Sequence, residues 1–336
     1  MELKGAVAIV TGGNGGLGQR ICHALAAEGV HVAVLYARSA NDAQAVANSL
    51  KQSHGVKAEA MACDVTSPAS VQAMVDAVVK QFGRLDILVN DAAFNKAIPF
   101  PNIDDLTPEI WAKIIDVNLT GPMHTIKAVA PVMKRQGQGR IVNISSIAGL
   151  TPSGSSIAYA VSKAGLNHLT RCMAVALAPE VLVNCVAPGL LEGTRATANL
   201  LPTQIQNAAA GSLLKKAADK DDCADQVVTM CRTNTMTGQT LDAAGVLAKF
   251  GVPPIRMLDY LMLVGDTADN IPGVQKVGPK TAVKWLTQYG SLDNIIAHSN
   301  EIKGAVGEHL RAALDWFDTA RQLITIKCDV NLPVKI

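Results

Sequence analysis

The stretch VAIVTGGNGGLG, residues 7–18, decides the fold of the first part of this chain. It joins a short apolar run, typical of a buried strand, to five glycines in seven positions and then to a helical pattern. Glycine allows turn geometries closed to other residues and lets a pyrophosphate group approach the backbone, while the helix N-terminus offers free N–H groups to phosphates. The stretch therefore predicts a dinucleotide-binding turn. Its candidate residues are Gly12, Asn14, Gly16, Leu17 and Gly18.

Short apolar runs continue to alternate with helix-patterned segments up to about residue 190. The strand candidates are Val7–Val10, Val32–Leu35, Ile87–Val89, Ile141–Ile144 and Leu182–Val186. The helix candidates between them are Gln19–Glu28, Ala43–Gln52, Ser70–Gln81 and Glu109–Val129. Strands that are apolar on both faces suit a parallel sheet covered by helices on both sides. The alternation predicts an α/β fold, a Rossmann-type doubly wound parallel sheet.

Composition excludes several classes of protein. With 336 residues, 49% hydrophobic and 17% charged, the chain is long enough for two buried cores. The net charge of +2 provides no global attraction to nucleic acid or to an anionic membrane. Seven scattered cysteines without CxxC spacing predict neither a disulfide framework nor a zinc site. No apolar run reaches the ~20 residues of a membrane span, so we expect a cytoplasmic protein without a membrane partner.

Residues after the next strand candidates indicate which dinucleotide binds. The second strand ends in YARS, residues 36–39, with Arg38 where an acidic residue would hold a free ribose 2′-hydroxyl group. Arg38 suits a 2′-phosphate, which favours NADP(H) over NAD(H), although a solvated surface arginine is the alternative. We expect Asp64, beside Val65, to accept a hydrogen bond from adenine. Small residues around Asn90 and Ala92 would let the cofactor pack.

Tyr159 and Lys163 are four residues apart in a helical stretch, which places both side chains on one face. An ammonium group beside a phenol lowers the phenol pKa and suits it to proton transfer. Ser145 and Ser146 follow a strand, where a hydroxyl group can donate to a carbonyl oxygen as charge develops. Asn118 lies in a mostly apolar helical stretch, where it either braces a helix bend or holds a water in a proton relay.

Taken in order, these segments resemble the short-chain dehydrogenase/reductases over residues 1–240. The matching motifs are TGGNGGLG at 11–18, NDAA at 90–93, Asn118, NISS at 143–146, YAVSK at 159–163 and NCVAPG at 184–189. The resemblance implies that Asn118 organises water, Ser146 polarises the substrate oxygen, Tyr159 is the acid/base, and Lys163 lowers its pKa and holds the nicotinamide ribose. It also implies that Gly12, Gly16 and Gly18 cradle the cofactor, Asn90 lines its pocket, and Pro188, Gly189 and Thr194 contact the nicotinamide end.

The resemblance implies an enzyme that reduces ketones or 3-oxoacyl thioesters, small carbonyl or acyl-thioester substrates. Two departures from the family pattern stand out. Its usual Asn-Asn-Ala-Gly is Asn-Asp-Ala-Ala here, and its last strand, expected to continue beyond TGQTL, runs into DAAG at 242–245. A homo-oligomer is therefore left open. Residues 195–218, rich in Ala, Thr, Asn and Gln, are predicted to form a mobile helical flap over the site.

The tail, residues 241–336, has a different character: its strand patterns largely disappear and turn signals cluster between helical segments. Over about residues 245–332 it resembles the helix-hairpin-helix part of the 5′-nuclease domain of bacterial DNA polymerase I. A small all-α domain is expected, and a turn rich in Gly and Lys would expose N–H groups and ammonium groups to a DNA phosphate. The candidate phosphate contacts are Gly273, Lys276, Gly278, Lys280 and Thr281.

Residues 249–336 contain ten Lys and Arg against nine Asp and Glu, so any DNA contact through the tail would be weak. Asp266 and Asp269 resemble two metal-binding carboxylates of that family, but the rest of the metal site would lie where the reductase stands. We expect no complete metal site and no nuclease activity. Three hypotheses follow: an NADP(H)-dependent reductase with a helical appendage, which we favour; a DNA-binding fragment fused to a passive reductase; and an artificial or accidental join.

Overall fold

The structure is a computed structural model. It describes residues 1–194, 197, 205–206, 209–210, 216–242, 256–266 and 271–324. The flap predicted over residues 195–218 lies mostly outside the described residues, as do Asp269 and the side chain of Asp266. The chain divides into two compact units, Met1–Ala244 and Gly245–Ile336.

The first unit is built on a seven-stranded sheet. Its strands are β1 Val7–Thr11, β2 His31–Tyr36, β3 Ala58–Ala62, β4 Ile87–Asn90, β5 Gly139–Ile144, β6 Val181–Ala187 and β7 Thr240–Asp242. Their order is β3-β2-β1-β4-β5-β6-β7, and every neighbouring pair is parallel. All five predicted strands are present, and the predicted doubly wound parallel sheet is confirmed. The order reverses between β1 and β4, where such sheets bind their ligands.

Helices cover both faces of this sheet. They are α1 Gly18–Ala27, α2 Ala40–His54, α3 Pro68–Phe82, α4 Pro108–Ile115, α5 Gly121–Gln136, α6 Ile157–Leu177 and α7 Lys220–Arg232. One core packs β1 and β2 against α1, α2 and α7, and the other packs the opposite face against α3, α5 and α6. Burial of residues such as Ile9 and Val10 on opposite faces explains why the strands are apolar throughout.

The helix predicted over Glu109–Val129 is interrupted. Between α4 and α5 the residues Asp116–Thr120 form one π-helical turn. Gly121 then packs so closely on the loop after β3 that a methyl group there would lie 2.8 Å from Val65 Cγ2. A π-helical turn is commonly found at functional sites, and this one carries Asn118.

The second unit is helical. Its helices are α8 Met257–Val264, α9 Pro279–Tyr289, α10 Leu292–Ala297, α11 Ala305–Ala312 and α12 Leu314–Ile324. The predicted small helical domain is confirmed, and it also contains one short antiparallel ladder, β8 Gly265–Asp266 with β9 Ile271–Pro272. Trp285, Leu286 and Leu310 are among the side chains of its separate core. In the part of the chain that the structure describes, no helix has both the length and the apolar character of a bilayer crossing.

Candidate active site

The glycine turn after β1 has the close packing that its sequence predicts. Gly12 has a φ of +67°, and a methyl group on it would lie 3.1 Å from the Ala92 Cα atom. A methyl group on Gly18 would overlap the Gly12 carbonyl oxygen. Side chains at Gly12 and Gly18 would fill the concave surface next to the α1 N-terminus. These residues therefore fit a bound dinucleotide.

Backbone and side-chain hydrogen bonds fix the turn between its neighbouring strands. The Gly13 N–H donates to the Leu35 carbonyl oxygen at 3.0 Å, and Asn14 Nδ2 donates to the Ser39 carbonyl oxygen at 3.2 Å. Asn14 therefore acts as a brace between the turn and the loop after β2. Leu17, which directly precedes α1, is buried in the core.

The loop after β6 lies against the glycine turn. A methyl group on Gly16 would lie 2.6 Å from the Gly193 carbonyl oxygen and 3.1 Å from the Thr194 Cα atom. Pro188 is buried, and its carbonyl oxygen accepts a 3.0 Å hydrogen bond from the Ile147 N–H. The segment that begins at Pro188 and Gly189 therefore links the carboxyl end of β6 to the predicted phosphate turn, and the predicted contact of Thr194 with the nicotinamide end stays a prediction.

The residues predicted to contact the adenosine part of the cofactor follow β2 and β3. Arg38 is exposed two residues after β2 and forms no ion pair with any described residue. Asp64 Oδ1 accepts hydrogen bonds from the Thr66 N–H at 2.9 Å and the Thr66 hydroxyl group at 2.7 Å, which lower the pKa of Asp64. One of the two Asp64 carboxylate oxygens is therefore already hydrogen-bonded within its own loop. Val65 is buried against Gly121 rather than open to a ligand.

Asn90 differs from the expectation that it lines the cofactor pocket. Its side chain is 3% exposed. Asn90 Nδ2 donates to Asn143 Oδ1 at 2.9 Å, and the Thr125 hydroxyl group donates to Asn90 Oδ1 at 2.7 Å. Asn143 Nδ2 in turn donates to the Thr170 hydroxyl group at 2.9 Å. Because a buried amide requires partners, Asn90 ties β4 to β5 and to the helices instead.

Tyr159 and Ser146 come together as predicted. Ser156 caps α6 by accepting a hydrogen bond from the Tyr159 N–H at 3.2 Å, which places Tyr159 in the first turn of the helix. Ser146 follows β5, and its hydroxyl group lies near enough to the phenol to affect its pKa. Burial raises the pKa of Tyr159, the Ser146 hydroxyl group lowers it, and the nearby Asp91 carboxylate raises it. Because burial dominates, the net shift of the Tyr159 pKa in the free chain is upward, opposite to the predicted direction.

Lys163 is the buried cation of the site. Its side chain is 3% exposed, and Nζ donates a 2.7 Å hydrogen bond to the Ile144 carbonyl oxygen at the end of β5. Nζ lies 5.8 Å from the centroid of the Tyr159 ring. Burial lowers the pKa of Lys163 to about 8, and the charge of Asp91 raises it. The ammonium and the phenol therefore lie on one side of α6, as their spacing predicts.

Asn118 is fully buried and uses its side chain for structure. Oδ1 accepts from the Phe94 N–H at 2.8 Å, while Nδ2 donates to the Phe94 carbonyl oxygen at 3.0 Å and the Ser162 hydroxyl group at 3.1 Å. Both amide hydrogens are engaged, so the bracing alternative describes this side chain. It anchors the π-helical turn between the loop after β4 and α6.

Two residues of the site were not among the sequence candidates. Thr11 is buried, and its Oγ1 accepts hydrogen bonds from the Asp91 and Ala92 N–H groups, both at 3.0 Å. This contact holds the loop after β4 against the glycine turn. Asp91 Oδ2 lies 2.9 Å from where a methyl group on Gly18 would stand. In the sequence, the change from the family's usual Asn to Asp at position 91 is the signal that points to this residue.

Comparison with known proteins agrees with this geometry. Residues 6–205 match the profile of the short chain dehydrogenase family. A ketoacyl reductase assigned to the granaticin polyketide synthase of Streptomyces violaceoruber is 40% identical over 70% of this chain and 93% of its own length. The 3-oxoacyl-acyl-carrier-protein reductase FabG of Staphylococcus epidermidis is 35% identical over 71% and 97%. The chain belongs to the short-chain dehydrogenase family and is an oxidoreductase.

A solved structure of the same fold is NAD+-bound xylitol dehydrogenase, with a TM-score of 0.67 and 29% identity over 73% of this chain and all of that one. Another is the NADPH-dependent 3-quinuclidinone reductase of Rhodotorula rubra, with a TM-score of 0.66 and 28% identity over 73% and 93%. The fold thus implies a nicotinamide cofactor for this chain.

The second unit has its own match. Residues 252–336 match the profile described as 5′-3′ exonuclease, C-terminal SAM fold, which confirms the resemblance of the tail. Val274 and Val277 are buried and anchor the turn before α9, whereas Lys276, Lys280 and Lys284 are exposed. Gly278 precedes α9 directly, and its carbonyl oxygen accepts from the Thr281 N–H at 3.0 Å. The five predicted phosphate contacts therefore lie in one short segment.

Proposed function

We propose that this chain is an NADP(H)-dependent reductase of ketones, with 3-oxoacyl thioesters as its substrate class. The observation that carries the proposal is the meeting of Ser146, Tyr159 and Lys163 at the carboxyl end of β5, beside the glycine turn. The names of two relatives, a ketoacyl reductase and a 3-oxoacyl-acyl-carrier-protein reductase, support the thioester class. Arg38 is exposed and forms no ion pair within the described part of the chain, which supports the preference for a 2′-phosphate.

Each residue of the site has a distinct part in this proposal. The nicotinamide supplies the hydride when the cofactor is bound. Ser146 donates a hydrogen bond to the substrate oxygen, which stabilises the charge that develops there. Tyr159 transfers the proton to that oxygen, and its high pKa in the free chain keeps the phenol protonated before reaction. Lys163 supplies the positive charge that favours the phenolate left behind. Asn118 positions α6 through Ser162.

The test is oxidation of NADPH, followed by absorbance, with an acetoacetyl thioester and a panel of simple ketones. Tyr159→Phe removes only the hydroxyl group, and we expect a loss of about a thousandfold in kcat. Tyr289→Phe in the second unit is the matched control and should retain full activity. Equal rates for Tyr159→Phe and the unmodified chain would rule out Tyr159 as the acid, and no rate with any carbonyl compound would rule out the reductase.

We further propose a weak DNA contact through the turn before α9. Exposed Lys276 and Lys280 flank Gly278 at the start of a helix, an arrangement that suits a backbone phosphate. Lys276 has a φ of +61°, in the left-handed region, which a tight turn imposes. This proposal is independent of the reductase, which remains the favoured function of the chain.

A further inference from the structure

The loop after β4 carries an acidic group at the phosphate end of the site. The main chain of Asp91 is held by its own N–H donating to Thr11 Oγ1, so its position does not depend on the carboxyl group. Its Oδ2 atom lies beside Gly18, 2.9 Å from the position of a methyl group there. Gly18 begins α1, whose free N–H groups are the proposed site of the cofactor pyrophosphate.

An ionised carboxylate at this position competes with a phosphate for the same positive helix end. A phosphate bound at this helix end would place a second negative charge near the carboxylate, and this disfavours ionisation of the group that can take up a proton. Asp91 forms no ion pair with any described residue. The cation that acts on it is Lys163, whose Nζ is already bound to the Ile144 carbonyl oxygen.

The remaining titratable neighbours do not neutralise Asp91. From α6 it faces Lys163 and Tyr159, from α1 the thiol of Cys22, and from α7 the thiol of Cys223. Burial raises the pKa of both thiols and of the phenol, so all three groups are uncharged near neutral pH. Of the groups named here, Asp91 and Lys163, whose pKa is about 8, are therefore the two that change charge near neutral pH.

We propose that Asp91 is the proton-linked residue of the cofactor site: its carboxyl group is neutral in the complex, so cofactor binding takes up one proton. This inference rests on the proposed binding of a nicotinamide dinucleotide, and it adds a residue that sets cofactor affinity. Burial raises the pKa of Asp91 to about 7 in the free chain, while Lys163 acts in the opposite direction. A bound pyrophosphate raises that pKa further, so binding is strongest below pH 7 and weakens above it.

Direct binding tests the inference without turnover. The dissociation constant of NADH is measured by its fluorescence between pH 6 and 8.5, because NADH lacks the 2′-phosphate whose own ionisation near pH ~6 complicates NADPH. The constant for the unmodified chain should rise about thirtyfold over this range. Asp91→Asn keeps the shape of the side chain and removes its charge, so the NADH dissociation constant of this variant should change little with pH. Asp76→Asn, on the exposed face of α3, is the matched control and should follow the unmodified chain.

Calorimetry provides a second readout that a merely structural role would not change. Binding heats at pH 8 in buffers of different ionisation enthalpy should show that the unmodified chain takes up close to one proton more than Asp91→Asn does, because Lys163 is present in both. The same pH slope or proton uptake in both chains would overturn the role of Asp91 while leaving the reductase intact. Failure of every chain to bind NADH and NADPH at pH 6 would overturn the proposed function as well.

Discussion

The ammonium group of Lys163 lies 2.7 Å from the Ile144 carbonyl oxygen, to which it donates a hydrogen bond. Ile144 is the last residue of β5, and Ser145 and Ser146 follow it directly. The Ser145 hydroxyl group returns the contact by donating to the Lys163 carbonyl oxygen at 3.1 Å. The first turns of α6 are thus fixed to the end of β5 from both sides, which holds the phenol of Tyr159 beside Ser146.

The buried charge of Lys163 predicts a pH dependence of stability. Its pKa falls from 10.5 to about 8 on folding, so between these values the unfolded chain holds a proton that the folded chain lacks. The folded state therefore gains stability as pH rises through this window. Relative to Lys163→Met, the unmodified chain should gain about 2 kcal/mol of unfolding free energy between pH 8 and 10, measured with urea. Relative to Lys80→Met, which replaces an exposed lysine of α3, the unmodified chain should show no such gain. The prediction would be contradicted if the unfolding free energies of the unmodified chain and Lys163→Met differed by the same amount at every pH.

The adjacent serines should separate chemistry from stability. Ser146 lies near the phenol and is proposed to bind the substrate oxygen, so Ser146→Ala should lower kcat by about a hundredfold or more with little effect on unfolding. Ser145 is buried and binds the Lys163 backbone, so Ser145→Ala should cost about 1 kcal/mol of stability and leave most of the activity. Steady-state kinetics of the two variants measures the loss of kcat, and thermal unfolding measures the loss of stability. The reverse pattern would show that the roles are exchanged.

Arg38 should determine the choice of cofactor. A charge-assisted contact to the 2′-phosphate is worth about ten- to a hundredfold in affinity. Arg38→Ala should weaken NADPH binding by that factor and leave NADH binding unchanged, as measured by cofactor fluorescence. Arg135→Ala, exposed on α5, is the control and should change neither constant. A parallel loss for both cofactors would place Arg38 at the pyrophosphate or the adenine instead.

The turn before α9 should bind duplex DNA weakly, with a dissociation constant of roughly 10⁻⁴–10⁻⁶ M at physiological salt. Replacing Lys276 and Lys280 with Glu should abolish the salt-dependent gel shift, because two phosphate contacts are lost. Lys303→Glu, also exposed in the second unit, should retain it. Unchanged binding in the double variant would place the DNA contact elsewhere.

Much of the fold followed from local patterns. The five apolar strands and the glycine turn were predictable because burial on both faces requires continuous apolar runs. Strand β3, with the sequence AEAMA, was missed since alanine and glutamate carry little strand preference. The three-residue β7 is present where the family pattern was doubted, because TGQTL still pairs with β6 before the sequence departs.

The site was predictable in its membership and less so in its electrostatics. The spacing of Tyr159 and Lys163 placed both groups on one face, but it carried no information about desolvation, which sets the direction of both pKa shifts. The partners of Asn90 and Asn118 come from a strand, a loop and two helices that are distant in sequence. No local pattern indicates such contacts, and so the roles of these two amides emerged only from the structure.

Buried hydrogen bonds link Thr125, Asn90, Asn143 and Thr170 in a row. None of the proposed reacting groups is part of this row. Sliding β4 against β5 by one residue would strand these amides in an apolar interior, so the register of the two central strands is firmly held. Residues in the loops that begin at Asp91 and Ser145 can therefore be substituted without shifting β4 and β5, the strands that carry these loops. Substitutions that change selectivity toward a new carbonyl compound can thus be made in these loops, while the buried row of hydrogen bonds is kept unchanged.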